Sequence, residues 1–162
     1  MSSSESEKIL LPANIPEILE KYGNLLYNYP QLATKDSIYG NYKRTNSKLS
    51  VLFPLKEHPV HGKTGLHATE KYRTGFVVEY HYQWKIIIPK MGKLYHHISA
   101  WENEPHDASW TPEKYKINSE PHHHHHVPGD REQRKENWDI LTLDDAFSFV
   151  ARYIHSGEEY KQ

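Results

Sequence analysis

Residues 75–89 read GFVVEYHYQWKIIIP and alternate strictly. Phe76, Val78, Tyr80, Tyr82, Trp84, Ile86 and Ile88 share one face; Val77, Glu79, His81, Gln83, Lys85 and Ile87 share the other. A period of two over such a length predicts a long, half-buried strand. Residues 90–93 (KMGK) supply a turn, and residues 94–101 return as the antiparallel partner. A chain built on this hairpin needs a layer to cover its apolar face. Two helical segments are available. In the first, Asn14 caps, Pro16 sits in the first turn and Glu17 is placed for a capping box. Ile15, Ile18, Leu19, Tyr22, Leu25 and Leu26 form its apolar face, and Tyr29-Pro30 is the expected stop. In the second, Thr142 and Asp145 make a capping-box variant. Leu143, Phe147, Val150, Ala151 and Ile154 form its stripe, and Gly157 ends it. Residues 37–44 and 48–53 predict a further hairpin around Thr45-Asn46-Ser47. Residues 56–73 show no clear period and read as a long loop, and residues 102–137 as an irregular excursion with one short strand at 115–118. The expected fold is a single α+β domain over residues 9–156: an antiparallel sheet around a long hairpin, with an N-terminal and a C-terminal helix. Residues 1–8 and 157–162 are expected to be tails.

Charge and composition narrow the function. Lys plus Arg number 20 and Asp plus Glu 21, which excludes a generic polyanion binder with a large basic excess. No apolar run is long enough to span a bilayer, and no leader is recognisable at the N-terminus, so the expected location is the cytoplasm. Cysteine is absent, which removes disulfides, thiolate metal sites and a thiol nucleophile. The abnormal count is histidine, at 13 of 162 residues. Imidazoles titrate near neutrality, so this chain holds many groups able to accept or donate a proton there.

Five of them, residues 122–126, are consecutive. If that run is extended, His122, His124 and His126 project to one side and His123 and His125 to the other. Three neutral imidazoles on one side suit a transition metal such as zinc or nickel. Equally, they suit an acid–base pair acting on a phosphodiester. The plain alternative is a solvated loop. A second cluster, Trp101-Glu102-Asn103-Glu104-Pro105-His106-Asp107, follows the hairpin directly. Strand ends are favoured places for functional groups because a rigid scaffold aims them. Glu102 and Asn103 are placed to orient a histidine or hold a cation. His81 lies on the more polar face of the long strand, between Glu79 and Gln83. His58, His61 and His67, with Lys63, Lys71 and Arg73, give a basic stretch that either closes over an anion or is simply a solvated loop.

The order of these parts resembles the TumE family of toxin–antitoxin toxins. The shared order is a Tyr-rich strand, a partner strand, an acidic–Asn–x–Pro–His element, a Pro–His–His–x–His element and a C-terminal amphipathic helix. The first element corresponds to Glu102-Asn103-Glu104-Pro105-His106-Asp107, and the second to Pro121-His122-His123-His124-His125. The likeness runs from about Ser37 to Ile154. Glu102 stands where the family usually has Asp, Asp107 where it has a second His, and Glu120 where it has an apolar residue. The resemblance implies a small toxin acting on RNA, with a cognate antitoxin as protein partner.

Metal-free RNA cleavage needs a base for the 2′-hydroxyl proton, an acid for the leaving 5′-oxygen, and positive charge at the phosphorane. The candidates for proton transfer are His122, His124, His126, His106 and His81. Lys71, Arg73, Lys85, Glu102 and Asn103 are candidates for substrate contact. Tyr80, Tyr82 and Trp84 have the right type to stack bases, but their place beside Ile86 and Ile88 makes them core residues first. Such an enzyme requires no cofactor. The competing expectations are a module holding zinc or nickel at His122, His124 and His126, and a noncatalytic antitoxin or defence-complex subunit. A homodimer is compatible with each.

Overall fold

The computed structural model describes residues 10–27, 29, 40–88, 97–103, 123–125, 135–136 and 139–160, with the side chains of 40–42, 97, 123–125, 135 and 136 excepted. The alternating segment is β4 (Phe76–Ile88), the middle of a seven-stranded antiparallel sheet. The other strands are β1 (Gly40–Arg44), β2 (Lys48–Pro54), β3 (Lys63–Arg73), β5 (His97–Glu102), β6 (His123–His125) and β7 (Lys135–Glu136). Each lies beside its sequence neighbour, so the sheet is a simple meander. α1 (Ile15–Tyr22) and α2 (Leu143–Ser156) complete the α+β fold.

One sheet face carries the core. Leu49, Val51 and Phe53 of β2, Leu66 and Ala68 of β3, Tyr80, Tyr82 and Trp84 of β4 and Trp101 of β5 are all buried there. The helices cover this face through ring contacts. Phe147 meets Phe53 edge-on and stacks on Tyr22, Phe149 meets Trp101, and Tyr153 meets Trp84. The α2 caps follow the sequence. Thr142 accepts from the Asp145 amide while the Asp145 carboxylate accepts from the Thr142 amide. Gly157 closes the helix in the left-handed region at φ 74°. A Cβ there would also meet Pro59 Cγ at 3.1 Å. Gly157→Ala is therefore expected to cost about 1–2 kcal/mol, read as a lower urea midpoint with unchanged slope.

Several expectations are corrected. Residues 63–73 are not loop but the eleven-residue β3, paired along its length with both β2 and β4. Its core-facing positions are Thr64, Leu66, Ala68 and Glu70, too mixed to show an apolar period. β3 turns into β4 at Thr74-Gly75, both at positive φ, the conformation a two-residue hairpin turn demands. α1 stops at Tyr22 and tightens into a 3₁₀ turn over Gly23–Leu25, well before Tyr29. The two faces of β4 are not kept to its ends. Register shifts opposite Lys71/Tyr72 and Lys63/Thr64 bury Val77 and Ile87 and leave Phe76 and Val78 exposed. A bulge advances one strand by a residue and so exchanges its faces. Within the excursion, residues 123–125 and 135–136 form strands; the expected strand at 115–118, the turn at 90–93 and the tail at 1–8 lie outside the described residues. The C-terminal segment is not a free tail as far as Tyr160, which is buried against Trp84, Phe149 and Tyr153. Among the described residues, no helix is long and apolar enough to cross a membrane.

Candidate functional site

Antiparallel register decides which residues stand side by side across a sheet. Thr69 of β3 is opposite His81 of β4, and His81 is opposite Glu102 of β5. Glu102 is in turn opposite His123 of β6. A second row holds His67, Gln83, Ala100 and His125. In these rows Thr69, His81 and Glu102, and His67, Gln83 and Ala100, belong to the face turned away from the helices. The row between them, Ala68, Tyr82 and Trp101, belongs to the core face, and His124 has the register of Trp101.

His81 is the best-defined group on the outer face. Its Nε2 lies 3.3 Å from Glu102 Oε2 and 3.0 Å from the Gln83 side-chain nitrogen. The amide nitrogen can only donate and the carboxylate can only accept. Neutral Nε2 thus accepts from Gln83, and protonated Nε2 donates to Glu102. Each protonation state has a partner, which a proton-transfer group needs. Glu102 is itself only 5% exposed at its side chain, whereas His81 is 28% exposed.

Cationic groups flank this pair. Lys71 lies opposite Glu79 and contacts it at 2.8 Å near the turn end of the hairpin. Lys85 lies beyond Gln83, and burial pushes its ammonium below the usual lysine value. Burial likewise pushes the His67 imidazole down; the charges of Lys85 and His81 push the same way, and a hydrogen bond to Gln83 opposes them. Burial thus disfavours the charged forms of both groups, and an anion placed beside them would favour those forms.

Of the expected site residues, the structure brings His81, Glu102, Lys71 and Lys85 onto one face. Arg73 pairs with Phe76 at the exposed hairpin turn, removed from His81. Asn103 is a clamp: its Oδ1 accepts from the Tyr80 amide and its Nδ2 donates to the Val78 carbonyl, continuing the β4–β5 pairing. His124 has the register of Trp101, so His123, not His124, stands opposite Glu102. His122, His126 and His106 lie outside the described residues. His123 and Gln83 were not singled out from sequence. The alternation of the run separates its two sets, but only pairing with β5 tells which set shares a row with Glu102.

The reading of His58 and His61 as part of a basic loop is also corrected. His58 is buried; its Nδ1 accepts from the Val60 and His61 amides, and its Nε2 donates to the Glu158 carbonyl at 2.8 Å. His61 Nε2 accepts from the Tyr160 amide at 2.9 Å. These two rings tie the segment after α2 to the sheet. His58→Ala removes three hydrogen bonds at a buried position and is expected to cost about 2–4 kcal/mol, measured by chemical denaturation.

Comparison with known proteins gives no match: no family model, curated protein or solved structure corresponds to this chain.

Proposed function

We propose that the chain is an RNA-cleaving toxin of the TumE type, working by histidine acid–base chemistry on the outer sheet face. The observation that carries this reading is His81 Nε2, held between a donor and a buried carboxylate, in a row that continues to His123. In the proposed reaction one imidazole takes the 2′-hydroxyl proton and the 2′-oxygen attacks phosphorus. The P–O5′ bond breaks, and a second imidazole protonates the departing 5′-oxygen. Glu102 orients His81 and stabilises its charged form. Lys85 and Lys71 supply positive charge near the phosphate, where even modest contacts position the backbone. An anion beside Lys85 would offset the burial that disfavours its charged form, which is in keeping with an anionic substrate. The two sequence elements shared with the family supply the toxin context, and a cognate antitoxin is the protein partner that follows from it.

Two assays test the reading together: growth on induced expression, and incubation of purified protein with single-stranded RNA. Growth arrest and RNA cleavage are expected. Absence of both would remove the proposal.

A further inference from the structure

We propose that His67 is the second imidazole of the cleavage reaction: it takes the 2′-hydroxyl proton, and His81 protonates the departing 5′-oxygen. The inference rests on the ribonuclease reading and deepens it, since one imidazole alone leaves one of the two proton transfers without a group.

Register brings the two rings together. His67 of β3 stands opposite Gln83 of β4, while His81 stands opposite Thr69, two residues along from His67. The histidines are therefore diagonal neighbours on adjacent strands, roughly 7–8 Å apart and on one face. Gln83 stands between them. Its side-chain nitrogen is 3.0 Å from His81 Nε2, and its side chain also hydrogen-bonds His67. Two bonds of about 3 Å through one amide keep the bonded ring nitrogens within roughly 8 Å of each other. The 2′- and 5′-oxygens flank a single phosphorus, and each needs its proton partner at about 2.6–3.2 Å, so the base and the acid must be near neighbours of this kind. Among the described side chains the other imidazoles lie elsewhere: His58 and His61 hold the segment after α2, and His155 is in the last turn of that helix.

The surroundings divide the two roles. His67 is partly exposed. Burial, and then the charges of Lys85 and His81, keep it neutral near pH 7, as a base must be. An anion beside it favours its charged form, which strengthens it as a base once RNA is bound. Leu52 of β2, opposite His67 on its other side, brings no charge. Protonated His81 has the Glu102 carboxylate beside it, which suits the acid. Opposed surroundings for two titratable groups are the pattern of an acid–base pair. After the step His67 carries the proton and His81 has lost one; exchange with water restores both.

Two substrates separate the roles: RNA with its cut site mapped on wild type, and the same RNA with sulfur replacing the bridging 5′-oxygen at that site. A thiolate leaves without a proton, so the second substrate needs the base but not the acid. His67→Ala is expected to slow cleavage of both by about 10²–10⁴-fold. His81→Ala is expected to slow the ordinary RNA as much, but the sulfur-bridged RNA by less than about tenfold. His67→Gln keeps a hydrogen-bonding group beside Gln83 but does not titrate; it is expected to match His67→Ala in rate, at the urea midpoint of wild type. Wild-type rates in His67→Gln overturn the assignment, as does a His81→Ala loss that sulfur does not rescue. If wild type nevertheless leaves 2′,3′-cyclic phosphate ends, the ribonuclease reading survives that failure and the base is another group. A wild type that cuts no RNA overturns the reading and this assignment with it.

Discussion

Replacing His81 with Ala is expected to lower the rate of RNA cleavage by about 10²–10⁴-fold, the range associated with losing one general acid or base. The fold should persist, because His81 is partly exposed and its backbone pairing with Thr69 and Glu102 does not depend on the ring. Glu102→Gln gives a sharper test of role. Glu102 acts through His81, so this variant should lower cleavage less than His81→Ala. It should also shift the pH profile, since the amide no longer stabilises the charged imidazole. In the double variant the losses should not multiply, because a residue that works through another contributes nothing once its partner is gone. Multiplying losses would separate Glu102 from His81 and leave the carboxylate a purely structural group.

On the opposite face, Glu70→Ala is expected to be the most destabilising of the stability variants, by about 3–5 kcal/mol. Glu70 is a buried carboxylate in the middle of β3, on the core side. Its Oε2 accepts from Tyr82 at 2.5 Å, and its Oε1 from Tyr72 at 2.7 Å and from the Ala13 amide at 3.0 Å. It thereby fastens the segment before α1 to the sheet, aided by Arg44, which donates to the Ala13 carbonyl. Truncation leaves these donors without their acceptor, and the desolvation penalty of each returns. For a chain of this size such a loss lowers Tm by roughly 10 °C or more. A second readout isolates the charge. Burial holds the Tyr82 phenol well above its usual value, and the Glu70 charge adds to that. In Glu70→Gln the ultraviolet titration of Tyr82 should move to lower pH. An unmoved titration together with unchanged stability would show that the cluster is dispensable.

The contrast between β3 and β4 explains how far sequence patterns reach here. Tyr80, Tyr82 and Trp84 present large apolar groups at every second position, so the core face of β4 is visible at once. β3 places Thr64, Leu66, Ala68 and Glu70 on the same core. Only Leu66 is a strong hydrophobe, and Glu70 is tolerated because Tyr82 of β4 and the Ala13 amide join the nearby Tyr72 in bonding it. No local pattern announces a charge most of whose partners are tertiary. The helix α2 was legible because capping is local: Thr142, Asp145 and Gly157 act within a few residues of one another. The site divides along the same line. His81 and Glu102 could be singled out from residue type and from their positions on the strands. Their pairing, and the choice of His123 over His124 beside them, depend on a register that a single-residue slip would reverse. The bulges near Val77 and Ile87 show that such slips do occur along this sheet.

The chemistry of the RNA ends tests the account most directly. Purified protein should cut single-stranded RNA in the presence of a chelator, leaving 2′,3′-cyclic phosphate and 5′-hydroxyl termini. Those ends arise only if the 2′-oxygen is the nucleophile and the 5′-oxygen leaves with a proton. Termini bearing 3′-hydroxyl and 5′-phosphate, formed only when a divalent ion is supplied, would contradict it.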